Sequence, residues 1–301
     1  MRVEFAQALI NHHAAVVNQV FFTGDLGYMA LEKVKEVFGD HFINAGIAEQ
    51  NMVSMAAAMA YDGFIPWVYS IAPFVTLRPY EQIRNDVCLH NLPVKLVGNG
   101  GGYGYGIMGG THHTPEDVGV MRVLPNMKVY VPFSGSDILD VIGNMLQDPS
   151  PNYLRLNNAR KIPVDIPSFA PWRCLKKGRK AVVVGMGPVL ANIFDLPAGM
   201  VDDLEVWVVG KLPVTEIPGE FIEAVQRTGN VIVIEEHYAA GGLGEHLAAR
   251  LLTHGHMPGL TWTSLTAKGY LSGRYGSQQW HQEENSLAGL YLHDKIASIL
   301  Q

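Results

Sequence analysis

Residues 41–60 read HFINAGIAEQNMVSMAAAMA, and this stretch decides the fold class that the sequence predicts. It begins with the β-formers Phe42 and Ile43, turns through Ala45-Gly46, and has almost no polar residue after Asn51. Because Ala, Met and Val cover nearly every face of its second half, we predict a short strand followed by a buried helix.

Glu49 lies at the start of this helix, and two interpretations of it are open. The simpler one is that free N–H groups and the dipole stabilise a carboxylate at a helix N-terminus. The other is that Glu49 belongs to a site, because the helix is too apolar for the surface and a buried carboxylate requires a defined partner. Such a carboxyl group can share a proton with a ring nitrogen, so Glu49 is a candidate catalytic residue.

Strands and helices alternate along the whole chain. Strands are predicted at 20–23, 64–69, 93–98, 126–132, 152–156, 180–185, 205–209, 231–235 and 260–265, and helices at 2–17, 28–38, 77–87, 136–147, 187–194, 221–228 and 245–252. This alternation predicts α/β sheets with parallel strands. A proline-containing segment interrupts it after residue 160. We predict two domains, 1–160 and 177–301, each a mostly parallel sheet flanked by helices, joined by a linker at 161–176.

The composition is that of a globular, core-rich protein: of 301 residues, 48% are hydrophobic and 17% are charged. The net charge of −6 argues against a nucleic-acid binder, which would show basic patches. Cys88 and Cys174 have neither the spacing of a metal site nor that of a disulfide framework. The N-terminus lacks a signal-peptide pattern, and the apolar runs are too short for a membrane helix. A cytoplasmic location is therefore expected.

Gly46–Asn51, with the sequence GIAEQN, resembles the Gly-Ile-Ala-Glu-Gln signature of the transketolase family. The C-terminal half of transketolase shares this signature with 1-deoxyxylulose-5-phosphate synthase, and the resemblance covers nearly the whole chain. It implies a pyrimidine-binding domain followed by a transketolase C-terminal-like domain, with thiamine diphosphate as cofactor. In that family the Glu matched by Glu49 hydrogen-bonds N1′ of the aminopyrimidine and favours the imino tautomer that deprotonates thiazolium C2.

Three further residues are candidates for cofactor contacts. Asp25 follows a predicted strand, where a helix cap is the simpler interpretation and a site at the strand end is the other. The resemblance of its turn to the family's Ala-Asp-Leu turn implies a role at the cofactor. Ile71 and Phe74 lie in a segment that resembles the one supplying an aromatic ring under the aminopyrimidine, and Phe74 is that ring by position. In an unrecognised sequence, Phe74 would be interpreted as an ordinary core residue.

Gly98–His113 is a glycine-rich loop that follows a buried strand. It lacks the Lys and Ser/Thr of a P-loop and the spacing of a dinucleotide-binding fingerprint, so we expect its glycines to let the backbone approach a ligand. His112-His113 could bind a metal, but no further ligands stand at a recognisable spacing, and no metal site is assigned. In the family this loop ends in Thr/Ser-His-Gln. The match of His112 implies a catalytic residue that faces the reacting end of the substrate.

The substrate residues depart from the transketolase pattern more than the cofactor residues do. Met108 stands where the family has an Asp that binds the donor hydroxyl, and Gly100 where it has a substrate-contacting His. Asn158 aligns with a phosphate-binding Arg, whereas Arg2 is retained and Arg160 could compensate. Loss of cationic groups lowers phosphate affinity. We therefore expect substrates other than ordinary pentose phosphates, bound at positions 2, 100, 108, 112 and 158.

Half of the family's cofactor site has no counterpart in this sequence. In the family, a domain with a Gly-Asp-Gly…Asn motif binds the diphosphate and Mg²⁺, and Gly24-Asp25-Leu26 does not complete that motif. The resemblance therefore implies a separate N-terminal, diphosphate-binding subunit that holds most of the Mg²⁺ contacts. Split transketolases are built this way, and we expect a heterotetramer around a homodimer core.

The leading hypothesis is an enzyme, the C-terminal subunit of a split, thiamine diphosphate-dependent, transketolase-like carboligase. It would transfer a two-carbon ketol or acyl unit, as a transferase of aldehyde or ketone residues that is active only with its partner. Two alternatives stay open: a β-type subunit of a 2-oxo-acid decarboxylase or dehydrogenase, and a non-catalytic regulatory paralogue. The Gly-Ile-Ala-Glu-Gln form favours the leading hypothesis over the first alternative, and the buried setting of Glu49 argues against the second.

Overall fold

The computed structural model describes residues 1–255 and 259–300, and the first half of the chain forms one sheet flanked by helices. Its strands are β1 Gln19–Thr23, β2 Phe42–Asn44, β3 Ile65–Ile71, β4 Lys95–Asn99, β5 Lys128–Tyr130 and β6 Asn152–Leu156. Its helices are α1 Arg2–His13, α2 Glu32–Phe38, α3 Glu49–Tyr61, α4 Ala72–Thr76, α5 Tyr80–Gln82, α6 Asp117–Arg122 and α7 Ile138–Gln147. Short 3-10 turns lie at Gly39–His41, Gly106–Thr111 and Gly135–Asp137, and a π-helical turn at Ile83–Cys88.

The second half repeats this plan. Its strands are β7 Trp172–Lys176, β8 Ala181–Met186, β9 Leu204–Val209, β10 Lys211–Leu212, β11 Asn230–Tyr238 and β12 Thr261–Ala267. Its helices are α8 Ala198–Asp203, α9 Gly219–Thr228, α10 Leu243–His254, α11 Gln278–Glu284 and α12 Gly289–Leu300, with a 3-10 helix at Pro188–Asp195. Among the described residues, no helix is both long enough and apolar enough to cross a bilayer.

Both sheets are mostly parallel. The first has the order β10-β5-β6-β4-β3-β1-β2, and the second the order β12-β11-β8-β9-β7. Neighbouring strands run parallel except at two edges, where β10 pairs antiparallel with β5 and β7 pairs antiparallel with β9. The predicted fold class, two mostly parallel sheets flanked by helices, is confirmed.

The helix predicted after Gly46 is α3, and it is buried against the first sheet. Met52, Val53 and Ala56 are buried in the same apolar cluster as core residues of β1 and β3. Burial of each Met or Val side chain contributes about 1.5–3 kcal/mol. This packing holds the first turn of α3, and with it Glu49, at the edge of the sheet.

Several boundaries differ from the sequence-based expectation. Residues 77–87 were expected to form one helix, but α4 ends at Thr76 and α5 begins at Tyr80, because Pro79 lacks an N–H and restricts the residue before it. The helix expected at 187–194 is a 3-10 helix. The segment 161–176 contains β7, which pairs with β9 and buries alternate residues. Helices α11 and α12 follow the last predicted strand.

Paired strands and a buried ion pair join the two halves of the chain. β10, from the second half, extends the first sheet at β5. Arg173 on β7 binds Asp137, which precedes α7, through two N···O contacts of 2.7 Å each. Each of these two side chains keeps only 2% of its surface exposed. The second half is therefore attached firmly to the domain that carries the candidate site.

Candidate functional site

The candidate residues lie at one edge of the first sheet. Asp25 follows β1, Glu49 begins the helix after β2, Ile71 ends β3, and Phe74 lies in the helix that follows. Because β1, β2 and β3 are parallel, their carboxyl ends meet at the same edge, where α/β sheets place their sites. The segments that follow β4 and β6 start from this edge as well. They carry the predicted substrate residues Gly100, Met108, His112 and Asn158.

Glu49 is buried in the first turn of α3, with 4% of its surface exposed. Its Oε1 accepts a hydrogen bond of 2.8 Å from Nη1 of Arg78. Arg78 lies at the break between α4 and α5, and its side chain is 43% exposed. The carboxylate is thus the buried member of an ion pair whose cation faces solvent.

Phe74 presents an aromatic face beside this carboxylate. The guanidinium of Arg78 lies over the ring, with Cζ 3.6 Å from the ring centroid, which adds cation–π attraction. The ring centroid of His112 is 5.3 Å from that of Phe74. Glu49 and Phe74 therefore fit a flat group that stacks on the ring and shares an N–H bond with the carboxylate. A protonated aminopyrimidine nitrogen has this chemistry.

Asp25 adopts a left-handed backbone conformation, with φ of +58°. Its Oδ1 accepts a hydrogen bond of 3.0 Å from Nδ2 of Asn44, and its backbone N–H donates to Oδ1 of Asn44, also at 3.0 Å. The same oxygen of Asn44 accepts from the N–H of Gly46 at 3.0 Å. Asp25 does not cap α2, which begins only at Glu32. Its turn is instead tied to the turn that leads into α3.

His112 ends the glycine-rich loop between two aromatic rings. Its ring centroid is 5.8 Å from that of Tyr105, and its Nδ1 is 2.9 Å from the hydroxyl oxygen of Thr111. Met108, on the same loop, is 53% exposed. The loop therefore brings His112 next to Phe74 and leaves Met108 at the surface.

Gly100 has no room for a side chain. Its φ is +73°, and a Cβ atom at this position would lie 2.4 Å from the ring of Tyr105. The His that the family carries at the aligned position would require Tyr105 to move. The ring of Tyr105 thus lies where a side chain of residue 100 would begin.

The predicted phosphate residues are separated. Arg2 lies near the loop, since its charge lowers the pKa of Tyr105 against the larger effect of burial, which raises it. Asn158 donates a hydrogen bond of 2.9 Å to Oε1 of Gln278. Arg160, considered as a compensating cation, instead pairs with Asp195 at 2.6 Å.

A buried network from the second half supports the glycine-rich loop. Glu236 accepts a hydrogen bond of 2.6 Å from the N–H of Tyr103, and Nε2 of Gln278 donates to both of its oxygens, at 3.0 and 3.1 Å. Burial raises the pKa of Glu236, while the charge of Arg155 opposes the rise. Because Gln278 also binds Asn158, the second half positions both the loop and the segment after β6.

Four residues at this edge received no role from the sequence alone: Asn44, Arg78, Tyr105 and Gln278. Asn44 and Arg78 stand in the segments that resemble the family, so their nearness to Glu49 and Phe74 was a usable signal. Gln278 stands 120 residues from Asn158 and offered none. Within residues 1–255 and 259–300, no group of three His, Cys, Asp or Glu side chains could hold a metal ion.

Comparisons with known proteins agree on one family. The family model of the transketolase pyrimidine-binding domain matches residues 1–160. One of the two subunits of the apulose-4-phosphate transketolase of Actinobacillus succinogenes is 33% identical over 255 residues, which cover 82% of each chain. The 1-deoxy-D-xylulose-5-phosphate synthase of Lawsonia intracellularis is 29% identical over 216 residues, which cover 69% of this chain and 34% of that protein.

Solved structures agree with these relatives. A split-gene transketolase, solved as an inactive beta4 tetramer, has a TM-score of 0.81 at 26% identity and covers 99% of this chain and 96% of its own. The transketolase of Campylobacter jejuni shares the fold, with a TM-score of 0.78 at 18% identity over 98% of this chain and 46% of that one. The matched domain and the synthase relatives imply thiamine diphosphate as cofactor. This chain belongs to the transketolase family, as a subunit with the pyrimidine-binding and C-terminal domains.

Proposed function

We propose that this chain is the C-terminal subunit of a two-component carboligase that uses thiamine diphosphate to transfer a two-carbon ketol or acyl unit. One observation carries the proposal: Glu49 is a buried carboxylate whose hydrogen-bond donor is a flat group stacked on Phe74. Membership of the transketolase family supports the transferase class, with aldehydes or ketones as substrates.

Each candidate residue has a defined part in this proposal. When bound, thiamine diphosphate supplies the acidic carbon and the electron sink that protein side chains lack. Glu49 would hold a proton at N1′ of the aminopyrimidine, and Phe74 would stack on that ring. Asp25 and Ile71 would shape the walls of the cofactor site. His112 would bind hydroxyl groups of the substrate or move protons at them.

The shortage of positive charge supports substrates other than ordinary pentose phosphates. Asn158 offers an amide, already bound to Gln278, where the family has an Arg, and Gly100 offers no side chain. Met108 offers an apolar group in place of an Asp. A phosphorylated sugar of another shape is the second candidate, because Arg2 lies near the loop and one relative is named for apulose 4-phosphate.

A partner subunit would complete the enzyme. The relative that is named as a transketolase subunit and the split-gene transketolase support a separate N-terminal chain. That chain would hold the diphosphate and Mg²⁺, since Mg²⁺ binds phosphate and carboxylate oxygens. Two copies of each chain would then assemble as a heterotetramer, in the cytoplasm.

The cofactor assignment is tested by comparing wild type with Glu49→Ala, each combined with the partner subunit and Mg²⁺. Thiamine diphosphate is titrated while the circular-dichroism band of the bound aminopyrimidine is followed. We expect wild type to develop the imino-type band and Glu49→Ala to lose it, whereas Glu81→Ala, an exposed acid on α5, should behave as wild type. If wild type binds no cofactor although the subunits associate, the non-catalytic paralogue becomes the better interpretation.

The substrate hypothesis is tested with the same wild-type complex. We expect a low kcat/KM for ordinary pentose phosphates and a rise of about tenfold or more in Asn158→Arg, because an Arg restores a bidentate phosphate contact. Asn158→Gln is the matched control, since it lengthens the side chain without adding charge. Ordinary transketolase efficiency with pentose phosphates in wild type would overturn the hypothesis.

A further inference from the structure

Arg78 stands at a break in the chain that frees its side chain. Pro79 cannot continue α4, so Arg78 lies between Thr76, where α4 ends, and Tyr80, where α5 begins. From there its side chain reaches Glu49. It keeps 43% of its surface exposed, whereas the side chain of Glu49 keeps 5%. Arg78 is thus the outer member of the pair and has a route into solvent.

The guanidinium contacts two groups at once. Its Nη1 is 2.8 Å from Oε1 of Glu49, and its Cζ is 3.6 Å from the centroid of the Phe74 ring. Carbon atoms in contact lie about 3.5–4.0 Å apart, so a second flat ring cannot occupy the same face of Phe74 while Arg78 is there. The proposed function assigns this carboxylate and this aromatic face to the aminopyrimidine. The guanidinium and the aminopyrimidine therefore compete for one place.

We propose that Arg78 is a displaceable occupant of the aminopyrimidine site, an inference that rests on the proposed function. Before the cofactor is loaded, its guanidinium neutralises Glu49, which would otherwise be an unpaired buried charge. Loading requires the side chain of Arg78 to rotate away from Phe74 into solvent. Both contacts, to the ring and to the carboxylate, then pass to the bound aminopyrimidine.

Two opposite effects follow for a variant that lacks the guanidinium. Its cofactor affinity rises, because a competing state no longer reduces the fraction of protein that is competent to bind. If the Arg78-bound state is favoured about tenfold, the apparent dissociation constant falls about tenfold. The cofactor-free chain becomes less stable, because Glu49 loses its counter-charge. A merely structural arginine would lose stability without a gain in affinity.

The test uses two variants of Arg78 and one control. Arg78→Met keeps the side-chain length and removes both charge and planar group, while Arg78→Lys keeps only the charge. Arg84→Met is the matched control, because Arg84 is an exposed arginine of the same segment whose side chain donates to Asn85 at 2.6 Å. Each protein is combined with the partner subunit and titrated calorimetrically with thiamine diphosphate and Mg²⁺. The cofactor-free chains are unfolded in urea in parallel.

We expect Arg78→Met to bind thiamine diphosphate about tenfold more tightly than wild type and to unfold at a lower urea concentration. Arg78→Lys should lie between the two proteins, and Arg84→Met should match wild type. Equal or weaker binding by a folded Arg78→Met, or by Arg78→Lys if the first variant does not fold, overturns the displacement and leaves the proposed function intact. Failure of wild type to bind the cofactor overturns the proposed function, and the displacement with it.

Discussion

Single residues show why the candidate site was only partly predictable. Glu49 stood out because a carboxylate in an apolar helix is unusual, and this feature is local to the sequence. Its contact with Arg78 depends on the distance across the gap between two segments, which no spacing rule supplies. The same holds for Gly100, whose lack of space comes from the ring of Tyr105.

His113 gives a prediction about pH. The residue is 2% exposed, 3.0 Å from the hydroxyl of Tyr270, and packed against the ring of His281 at 5.0 Å. Burial, with a smaller contribution from His281, lowers the pKa of His113 from 6.5 to about 4. As pH falls from 6.5 to 4, the unfolded chain therefore takes up a proton that the folded chain does not, and stability is lost.

We expect the free energy of unfolding to fall by about 3 kcal/mol more in wild type than in His113→Phe over this pH range. Phe keeps the aromatic packing and removes the titrating group. The measurement is urea unfolding of both proteins at pH 7.5, 6.5, 5 and 4, so that carboxylates common to both cancel. Parallel pH dependences of the two proteins would contradict the prediction.

At the scale of elements, the periodic segments were predicted well and the loops were not. α3 and β4 follow from hydrophobic patterns, because burial of one face is visible in the sequence. The glycine-rich loop between β4 and α6 has no such period. Its shape depends on Glu236, which bonds the N–H of Tyr103 from a distant part of the chain.

Gly102 and Gly229 provide a matched pair of tests for this loop. Both have left-handed backbones, with φ of +62° and +65°. A Cβ on Gly102 would lie 2.4 Å from Oε1 of Glu236 and 2.5 Å from Nη2 of Arg155, whereas no described atom lies within 4 Å of a Cβ on Gly229. Alanine at Gly102 therefore adds steric conflict with buried charged groups to the backbone strain that both positions share.

We expect Gly229→Ala to lower the free energy of unfolding by about 1 kcal/mol and Gly102→Ala by about 3–4 kcal/mol. Chemical denaturation of the two variants and wild type measures both values. Gly102→Ala should also weaken the response of the chain, with its partner, to thiamine diphosphate, because the displaced loop carries His112. Similar losses in both variants would show that the loop can shift without cost.

At the scale of the whole molecule, the second half acts as a support for the site in the first half. Gln278 binds both Glu236 and Asn158, and β10 extends the first sheet. Asp137 and Arg173 form the buried ion pair between the halves. These contacts make the position of the glycine-rich loop depend on residues that stand more than 100 positions away.

The ion pair of Asp137 and Arg173 yields a prediction about stability. Removal of one partner leaves the other as an uncompensated buried charge, so Arg173→Met should cost about 3–5 kcal/mol. Lys180→Met is the control, because Lys180 pairs with Asp203 at 2.8 Å with its side chain 57% exposed. An exposed pair contributes less than about 1 kcal/mol. Urea unfolding of both variants compares these losses, and an equal effect would mean that Asp137 finds other compensation.

The sequence by itself determined the α/β class, the order of strands and helices, and the identity of Glu49, Phe74 and His112 as candidates. These features are local, since hydrophobic period, glycine content and short motifs are read over a few residues. The tertiary structure alone decided that Arg78 covers Phe74 and Glu49, and that Gln278 binds Asn158. Such contacts depend on the order of parallel strands and on the packing of one half against the other, which bring distant segments to the same edge of the sheet.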